Sequence, residues 1–507
     1  MSWHVFPLEI KHQILQKLIE DGGKLADFAT VSREWQEKIE QHTFARIRLT
    51  PSRLAKFDSM TSRNRSLVRY LWLCLELDKY CCIDCALPTW VFNTNDDEGE
   101  VIMTALQKLF SVLSTWGSES NLSLDISVYS PSDSEHWFPH LTFEPDIPWN
   151  TGGHDRVVEQ AGRARAADDQ HDLNNVNVED HTPRAAIDRV FGEIMNQDDA
   201  FLLPFTNDEQ EDEWWQQLPL APAVTSVLLR QQNRRRWKPR ALAQMLSRLP
   251  MLRQLYYEPW REWGNGKQES RDESHLKFLE SLALTDLKNL TIFENFNEKY
   301  AETFSIMDSR FKSIRTPSTA LSRILSKVSL NFESLSGSFM VDACEFFNAH
   351  GQSSQEWPNL TLLVLTSQLL TPQQSHTDII DMLQRAGCAA TRMPKLETME
   401  IWNGRKKLAA HFKYELMKED RSAIITWKGT WGLTLQPSVV EIWEAVTTRR
   451  GGFRLDIVYE TLDSDTIRSH GDAIIGLEVS ERVVRPISLQ QIRIDCDAPW
   501  TRTLPHL

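Results

Sequence analysis

Apolar residues over the first forty positions recur at helical spacing. Ile10, Ile14, Leu15, Leu18 and Ile19 share one face of a first helix. Pro7 suits its first position, where a fixed φ and a missing N–H cost nothing, and Gly22-Gly23 stops it. A second short piece holds Leu25 and Phe28, and a third runs through Val31, Trp35 and Ile39. Three helices of this size bury too little surface to be comfortable alone, so the unit needs a neighbour or a partner.

From residue 67 the pattern changes. Short runs rich in Leu, Val, Ile and aromatics alternate with amphipathic helical stretches, which predicts strands at Val68–Leu77, Leu122–Tyr129, Val224–Leu229, Leu252–Glu258, Leu290–Asn295, Val328–Phe332, Leu360–Thr366 and Leu396–Trp402. The last six are centred 28 to 38 residues apart, and four share a lead-in: Leu249-Pro250-Met251-Leu252, Leu287-Lys288-Asn289-Leu290, Trp357-Pro358-Asn359-Leu360 and Met393-Pro394-Lys395-Leu396. Helical stretches such as Arg240–Leu249, Phe339–Ala349 and Asp378–Ala386 lie between them. One strand plus one helix per period, behind a P-x-L-x-x-L lead-in, predicts a mixed α/β chain whose body is an irregular leucine-rich-repeat-like solenoid, with periods longer than the usual upper end of about 29 residues. A doubly wound sheet is the competing arrangement, but the Gly-rich first turn of that fold is missing.

Residues 146–217 interrupt the pattern. They hold 17 acidic and 5 basic residues, so −12 of the chain's net charge of −14 sits here and the rest sums to −2. Asn150–Thr182 is polar and poor in large apolar residues, which reads as a disordered insertion. An amphipathic helix follows, with Ile187, Val190, Phe191, Ile194 and Met195 on one face, and the acidic run Asp208–Glu213 ahead of Trp214-Trp215 closes the segment. Beyond residue 405, alternation at Phe412, Tyr414 and Leu416 and again at Ile425 and Trp427 predicts a hairpin. A helix through Val439, Ile442, Trp443 and Val446 and a strand at Phe453–Tyr459 come next, and this tail is expected to cap the solenoid. The expected units are therefore 1–48, a helical module; 49–145, the start of the repeat region; 146–217, the acidic insertion; 218–404, the repeats; and 405–507, the cap.

Charge and cysteine usage narrow the class. With 56 basic against 70 acidic residues, the chain lacks the basic surface that nucleic acid or an anionic membrane requires. Seven Cys without a framework spacing, and an N-terminus without a basic-then-apolar leader, point to reduced thiols in the cytoplasm or nucleus. Cys74, Cys81, Cys82 and Cys85 lack the paired spacing of a zinc site. In His136-Trp137-Phe138-Pro139-His140 the Glu of a zinc-protease helix is missing and Pro139 would break the helix. Gly264-Asn265-Gly266 lacks the third Gly of a dinucleotide loop, and neither a Walker A nor a G-x-S-x-G element occurs. No catalytic constellation, cofactor or metal is expected.

The most specific signal is N-terminal. Phe6-Pro7-Leu8-Glu9-Ile10, Ile14-Leu15-Gln16-Lys17-Leu18, and Leu25 through Val31-Ser32-Arg33-Glu34-Trp35 follow the pattern L-P-x-E-I, I-L-x-x-L, L-x5-V-[CS]-R-x-W. The segment resembles the F-box, with Phe6 for the usual Leu and a longer loop over Glu20–Lys24. Leu67–Glu76 and the divergent remainder are more loosely similar to fungal F-box proteins. The resemblance implies a substrate-receptor subunit that binds an Skp-family adaptor, and through it a cullin–RING ubiquitin ligase, with a protein target held by the leucine-rich-repeat-like body. By the same resemblance Phe6, Pro7, Leu8, Ile14, Leu18, Val31 and Trp35 would form or brace the adaptor-facing surface. A non-catalytic scaffold, whose F-box serves assembly without ubiquitination, is the alternative.

Arg234-Arg235-Arg236-Trp237-Lys238 falls between a strand and a helix, on an expected solenoid loop. Such a cluster suits a phosphorylated or acidic target, because Arg pairs bidentately with phosphate. It suits equally a solvated loop paired with the protein's own acidic run at 208–213. Trp260, Trp263 and Trp402 sit just past strand ends, where a target surface would lie, or else pack within the repeats.

Overall fold

A computed structural model of the chain describes residues 6–21, 25–85, 97–147, 153–167, 187, 189–195, 205, 207–300, 314–349 and 355–498. The three N-terminal helices are α1 (Leu8–Glu20), α2 (Leu25–Phe28) and α3 (Arg33–Ala45). Ser32 explains one position of the third motif: its side chain accepts from the Trp35 N–H at 3.3 Å and so caps α3. There is no linker after α3. Strand β1 (Arg46–Leu49) follows at once, inside the unit expected to be helical to residue 48.

Eleven further strands join β1 in one sheet: β2 (Tyr70–Glu76), β3 (Leu122–Tyr129), β4 (Val224–Leu229), β5 (Gln254–Tyr257), β6 (Asn289–Phe293), β7 (Ser334–Ser338), β8 (Leu362–Thr366), β9 (Thr398–Arg405), β10 (Leu408–Met417), β11 (Ser422–Gly429) and β12 (Arg454–Thr461). The spatial order is the chain order, β1 to β12. Neighbours are parallel except at β9–β10 and β10–β11, where the expected hairpin runs antiparallel. This order has no point at which it reverses, so the doubly wound arrangement does not apply.

The outer face of the sheet carries the helices. They are α4 (Asp97–Leu113), α5 (Gly153–Ala167), α6 (Asp208–Gln217), α7 (Pro239–Ser247), α8 (Asn265–Leu282), α9 (Thr319–Val328), α10 (Ala343–Asn348), α11 (His376–Ala390), α12 (Pro437–Arg449), α13 (His470–Leu477) and α14 (Pro486–Asp497), of which α5, α13 and α14 belong elsewhere. Alternate strand residues (Leu71, Leu124, Val227, Leu255, Leu290, Leu335, Leu363, Met399, Phe412) meet α4 and α7–α12 in one continuous apolar core. Strand alternation places every second side chain on this face. Burying each such Leu or Val contributes about 1.5–3 kcal/mol.

The inner face is covered too, which is why β2 reads Tyr-Leu-Trp-Leu-Cys-Leu rather than alternating apolar and polar. Its cover is the chain's own C-terminal strap, 467–498, together with α5 and residues 137–147. Ile467, Ala473, Ile474, Leu477, Val483 and Ile492 pack on Phe293, Val364, Trp402 and Ala409. The tail therefore differs from the expected cap: the hairpin and β12 lengthen the sheet, and the last two helices fold back across it.

Three further expectations are corrected. Val328–Phe332 is the end of α9 and a short 3-10 turn, and the strand is the next segment, Ser-Leu-Ser-Gly-Ser. That segment lacks apolar bulk because only Leu335 meets the outer core, while Gly337 leaves room for Val341 and for Leu325 of α9: a Cβ there would lie 2.8 Å from Val341 Cγ2 and 3.3 Å from Leu325 Cδ2. Within the segment expected to be disordered, residues 153–167 form α5, anchored by Arg165, whose guanidinium donates to the Trp137 carbonyl at 2.6 Å. Ile187, Val190, Phe191, Ile194 and Met195 are all buried as expected, but not along one helix: helical structure stops at Val190, and Glu193 bridges to Arg236. No helix among the described residues is long and apolar enough to cross a membrane.

Candidate functional site

The N-terminal unit keeps little for itself. Over residues 6–45 the fully buried large apolar side chains among those described are Leu15 and Ile39. Trp35 is half-buried, its ring 6.2 Å from Phe28, and so braces α2 against α3. Phe6 and Leu18 are half-buried, Pro7 is exposed, and the Leu8 side chain lies outside the described residues. Four apolar side chains stand out in solvent: Ile10 at 39%, Ile14 at 40%, Phe28 at 37% and Val31 at 61%. Ile10 and Ile14 are one turn apart on α1, while Phe28 and Val31 flank the start of α3. Ile10, although part of the motif, and Phe28 were not among the residues that the resemblance places on the adaptor-facing surface. Their signal was present in the periodicity, as helix-face positions that a unit of forty residues has no interior to cover.

The residues expected on a target-binding loop lie inside the molecule. Arg234 is buried and grips Asp495 of α14 through two contacts from Nη2, at 2.6 and 2.8 Å, with its guanidinium 4.2 Å from the Trp260 ring. Arg236 is buried and donates to the carbonyls of Phe191 (2.6 Å) and Arg261 (2.8 Å). Arg235 is half-buried, reaching the Arg189 carbonyl at 3.4 Å and Glu98 at 3.9 Å. Trp237, Trp260 and Trp402 are buried in three different apolar clusters, and Trp263 packs half-buried beside Trp260. The accessible basic patch is thus corrected. A guanidinium removed from water must be paired, and these are paired internally because the strap and the insertion wrap the loop. The expected pairing with the acidic run is met at the end of the cluster and just beyond it: Glu211 contacts Lys238 at 3.3 Å, and Asp208 and Asp212 contact Arg240.

A buried polar seam joins strap to sheet. Glu258 Oε2 accepts from Ser488 Oγ (2.6 Å) and from the Gln231 N–H (3.0 Å), and its Oε1 accepts from the Arg485 N–H at 2.7 Å. Gln231 Nε2 donates to the Ser488 carbonyl at 2.9 Å, and Arg485 reaches Asp146 at 2.6 Å. Toward the other end, Thr291 Oγ1 donates to the Arg482 carbonyl (3.1 Å), and Glu400 accepts from the Ser480 N–H at 3.1 Å. Burial pushes the Glu258 and Asp495 carboxyls up; Ser488 and two backbone N–H groups oppose it at the first, and Arg234 at the second. His140, 3.6 Å from Asp495, is driven well below the usual imidazole range by burial, then by the charges of Arg234, Arg165 and Lys299. These groups are closed from solvent and spent on one another. What the arrangement does chemically is hold the strap.

The cysteine cluster has one neighbour that spacing did not reveal. His136 Nδ1 lies 3.4 Å from Cys82 Sγ, and Cys85 is buried under Trp137 Nε1 at 3.3 Å. No group of three or more His, Cys, Asp or Glu among the described residues is arranged to hold a metal.

Compared with known proteins, residues 281–485 match the model of a family of unknown function (DUF6546). The matched segment runs from the end of α8 through β12 and α13 to Arg485 in the strap. Neither an F-box nor a leucine-rich-repeat family model matches. No curated protein and no solved structure matches the chain.

Proposed function

We propose that the chain is the substrate-receptor subunit of an SCF-type (Skp–cullin–F-box) ubiquitin ligase. Its N-terminal helices dock an Skp-family adaptor, and its body, a divergent leucine-rich-repeat-like solenoid, holds a protein target near the ubiquitin-loaded enzyme. Its contribution is effective concentration rather than bond chemistry. The observation that carries the reading is the exposed apolar set Ile10, Ile14, Phe28 and Val31 on a unit that already matches the F-box pattern. A helix face of this kind is what a partner helix needs in order to finish its own burial. The strict chain-order sheet, with helices ranged on its outer face, supports the solenoid part of the reading. Because the inner face is filled in cis, the target surface in this reading is placed on the loops at the sheet edges rather than within the sheet's hollow.

The test uses the full-length chain and a purified Skp-family adaptor. Wild type should co-elute with the adaptor in size exclusion, whereas Ile14→Asp combined with Val31→Asp should not, with an unchanged melting temperature because both side chains are already in solvent. Failure of the wild type to bind, or binding by the double variant equal to wild type, overturns the reading. Trp35→Ala should weaken the complex by about 2–4 kcal/mol if the ring acts as a hot-spot brace, measurable by calorimetry.

A further inference from the structure

The parallel strands put all their C-terminal ends on one edge of the sheet, and at β6–β9 that edge is hollow. A cavity of about 340 Å³ lies there, within the size range of small-molecule sites. Its walls come from the residues immediately after the strands: Phe296 beyond β6, Phe339 beyond β7, Gln368 beyond β8, and Arg405 at the end of β9, with Arg261 and Arg315 from the flanking loops.

Three features distinguish this hollow from a packing gap. The first is charge. Among the described lining residues, Arg261, Arg315 and Arg405 stand against one carboxylate, Glu294. Arg315 engages both Glu294 and, behind it, Asp272. Arg405 makes no ion pair among the described residues. Arg261 is buried; its guanidinium is pulled down to about 10, above all by burial and also by the like charge of Arg315, against the opposing pull of Glu294. Among the described lining residues positive charge exceeds negative charge, and burial amplifies the imbalance.

The second feature is shape and surface. Phe296 and Phe339 meet edge to face, 4.9 Å between centroids, and Phe296 is backed by the His470 ring at 4.3 Å, so the aromatic wall is rigid. Gln368 and Asn403 supply amides beside it. The third is backbone strain. Phe339 has φ +65, a left-handed conformation unfavourable for a bulky side chain, held by its N–H donating to Thr366 Oγ1 at 2.7 Å. Strain retained at a cavity wall marks a position whose side-chain direction matters more than its local cost.

We propose that this cavity is a binding site for a small organic anion with a flat apolar body, an aromatic carboxylate in chemical class, whose carboxylate meets Arg405 and Arg261 and whose ring lies along Phe296 and Phe339. Arg matches a carboxylate with two parallel N–H donors, and the aromatic wall excludes small inorganic anions from competing on charge alone. The site is separate from the proposed adaptor face, which belongs to the helices preceding β1 in the sheet order.

Calorimetric titration of the full-length chain with benzoate, naphthalene-2-carboxylate and biphenyl-4-carboxylate tests it. At least one should bind saturably and raise the melting temperature, and its uncharged carboxamide should bind at least ten-fold more weakly. Arg405→Gln should lower the carboxylate's affinity ten-fold or more and leave the melting temperature of the free protein unchanged. Asn403→Trp, which fills the cavity, should abolish binding. Saturable binding by none of the three acids, equal affinity for acid and amide, or undiminished binding in both variants overturns the proposal.

Discussion

At the scale of single residues, the interior of this protein rests on groups that must stay in one charge state. Arg234 and Asp495 are both buried and bonded, so removing either strands the other. Arg234→Met or Asp495→Leu alone should cost about 3–5 kcal/mol in urea unfolding, and the double variant less than either single change, because the uncompensated charge disappears with its partner. His470 is the acid-sensitive counterpart. Its ring sits among Phe293, Phe296 and Phe339, its Nε2 meets Asn295 Oδ1 at 2.9 Å, and burial alone holds its pKa down to about 3. Folding therefore requires the neutral imidazole. As pH falls below about 6.5, the unfolded chain takes up a proton that the folded chain refuses, and stability drops by up to about 1.4 kcal/mol per pH unit toward pH 3. Buried carboxyls such as Glu258, raised by burial, act in the opposite sense, since the folded state protonates them more readily. Comparing pH-dependent unfolding of wild type and His470→Gln isolates the imidazole: the variant should lose that part of the slope.

At the scale of elements, legibility followed apolar bulk. Leu122–Tyr129 and Val224–Leu229 were readable to the residue, because Leu122, Leu124, Ile126 and Val128 alternate with smaller or polar residues along the first and Val227, Leu228 and Leu229 give the second its apolar bulk. β7 was not, because Ser334, Ser336 and Ser338 face the strap and Gly337 gives way to α9; pairing with β6 and β8, not propensity, makes it a strand. The N-terminal module was legible as a motif and its exposed side chains as a periodicity. Between the two placements open to the Arg and Trp residues, a target surface or internal packing, local pattern could not choose, since it places the cluster on a loop but cannot say that a segment more than 200 residues away will cover it. The ion pair of Arg234 spans 261 positions. Helix contacts on the outer face follow the same logic. α11 meets α12 so closely at Gly387 that an added Cβ would lie 2.4 Å from Ile442 Cγ2. Gly387→Ala should thus destabilise by about 1–3 kcal/mol despite its better helix propensity. Gly476→Ala in α13, where the nearest atom is 3.4 Å away, should be neutral or stabilising by up to about 1 kcal/mol. Thermal melts of the two variants check the contrast.

At the scale of the whole molecule, twelve strands in chain order make sequence neighbours spatial neighbours across the sheet, and the strap returns across several of them. Each strand pairs with the one before it, so most of the sheet can assemble from one end. The inner face cannot. Glu258, Arg234 and Thr291 each complete their bonding with groups from residues 482–495. A chain ending at Thr466 should retain strand-rich circular dichroism, bind a hydrophobic dye and melt without a sharp transition. The consequence concerns time rather than space. Residues 467–498 are translated after every strand they cover, so a nascent chain has all its strands before it has the segment that neutralises their hollow. During that interval the buried charges of the finished protein lie open to solvent and to chaperones. A prematurely terminated chain would display this charged trough indefinitely, which separates incomplete molecules from complete ones by a chemical mark that the intact protein never shows.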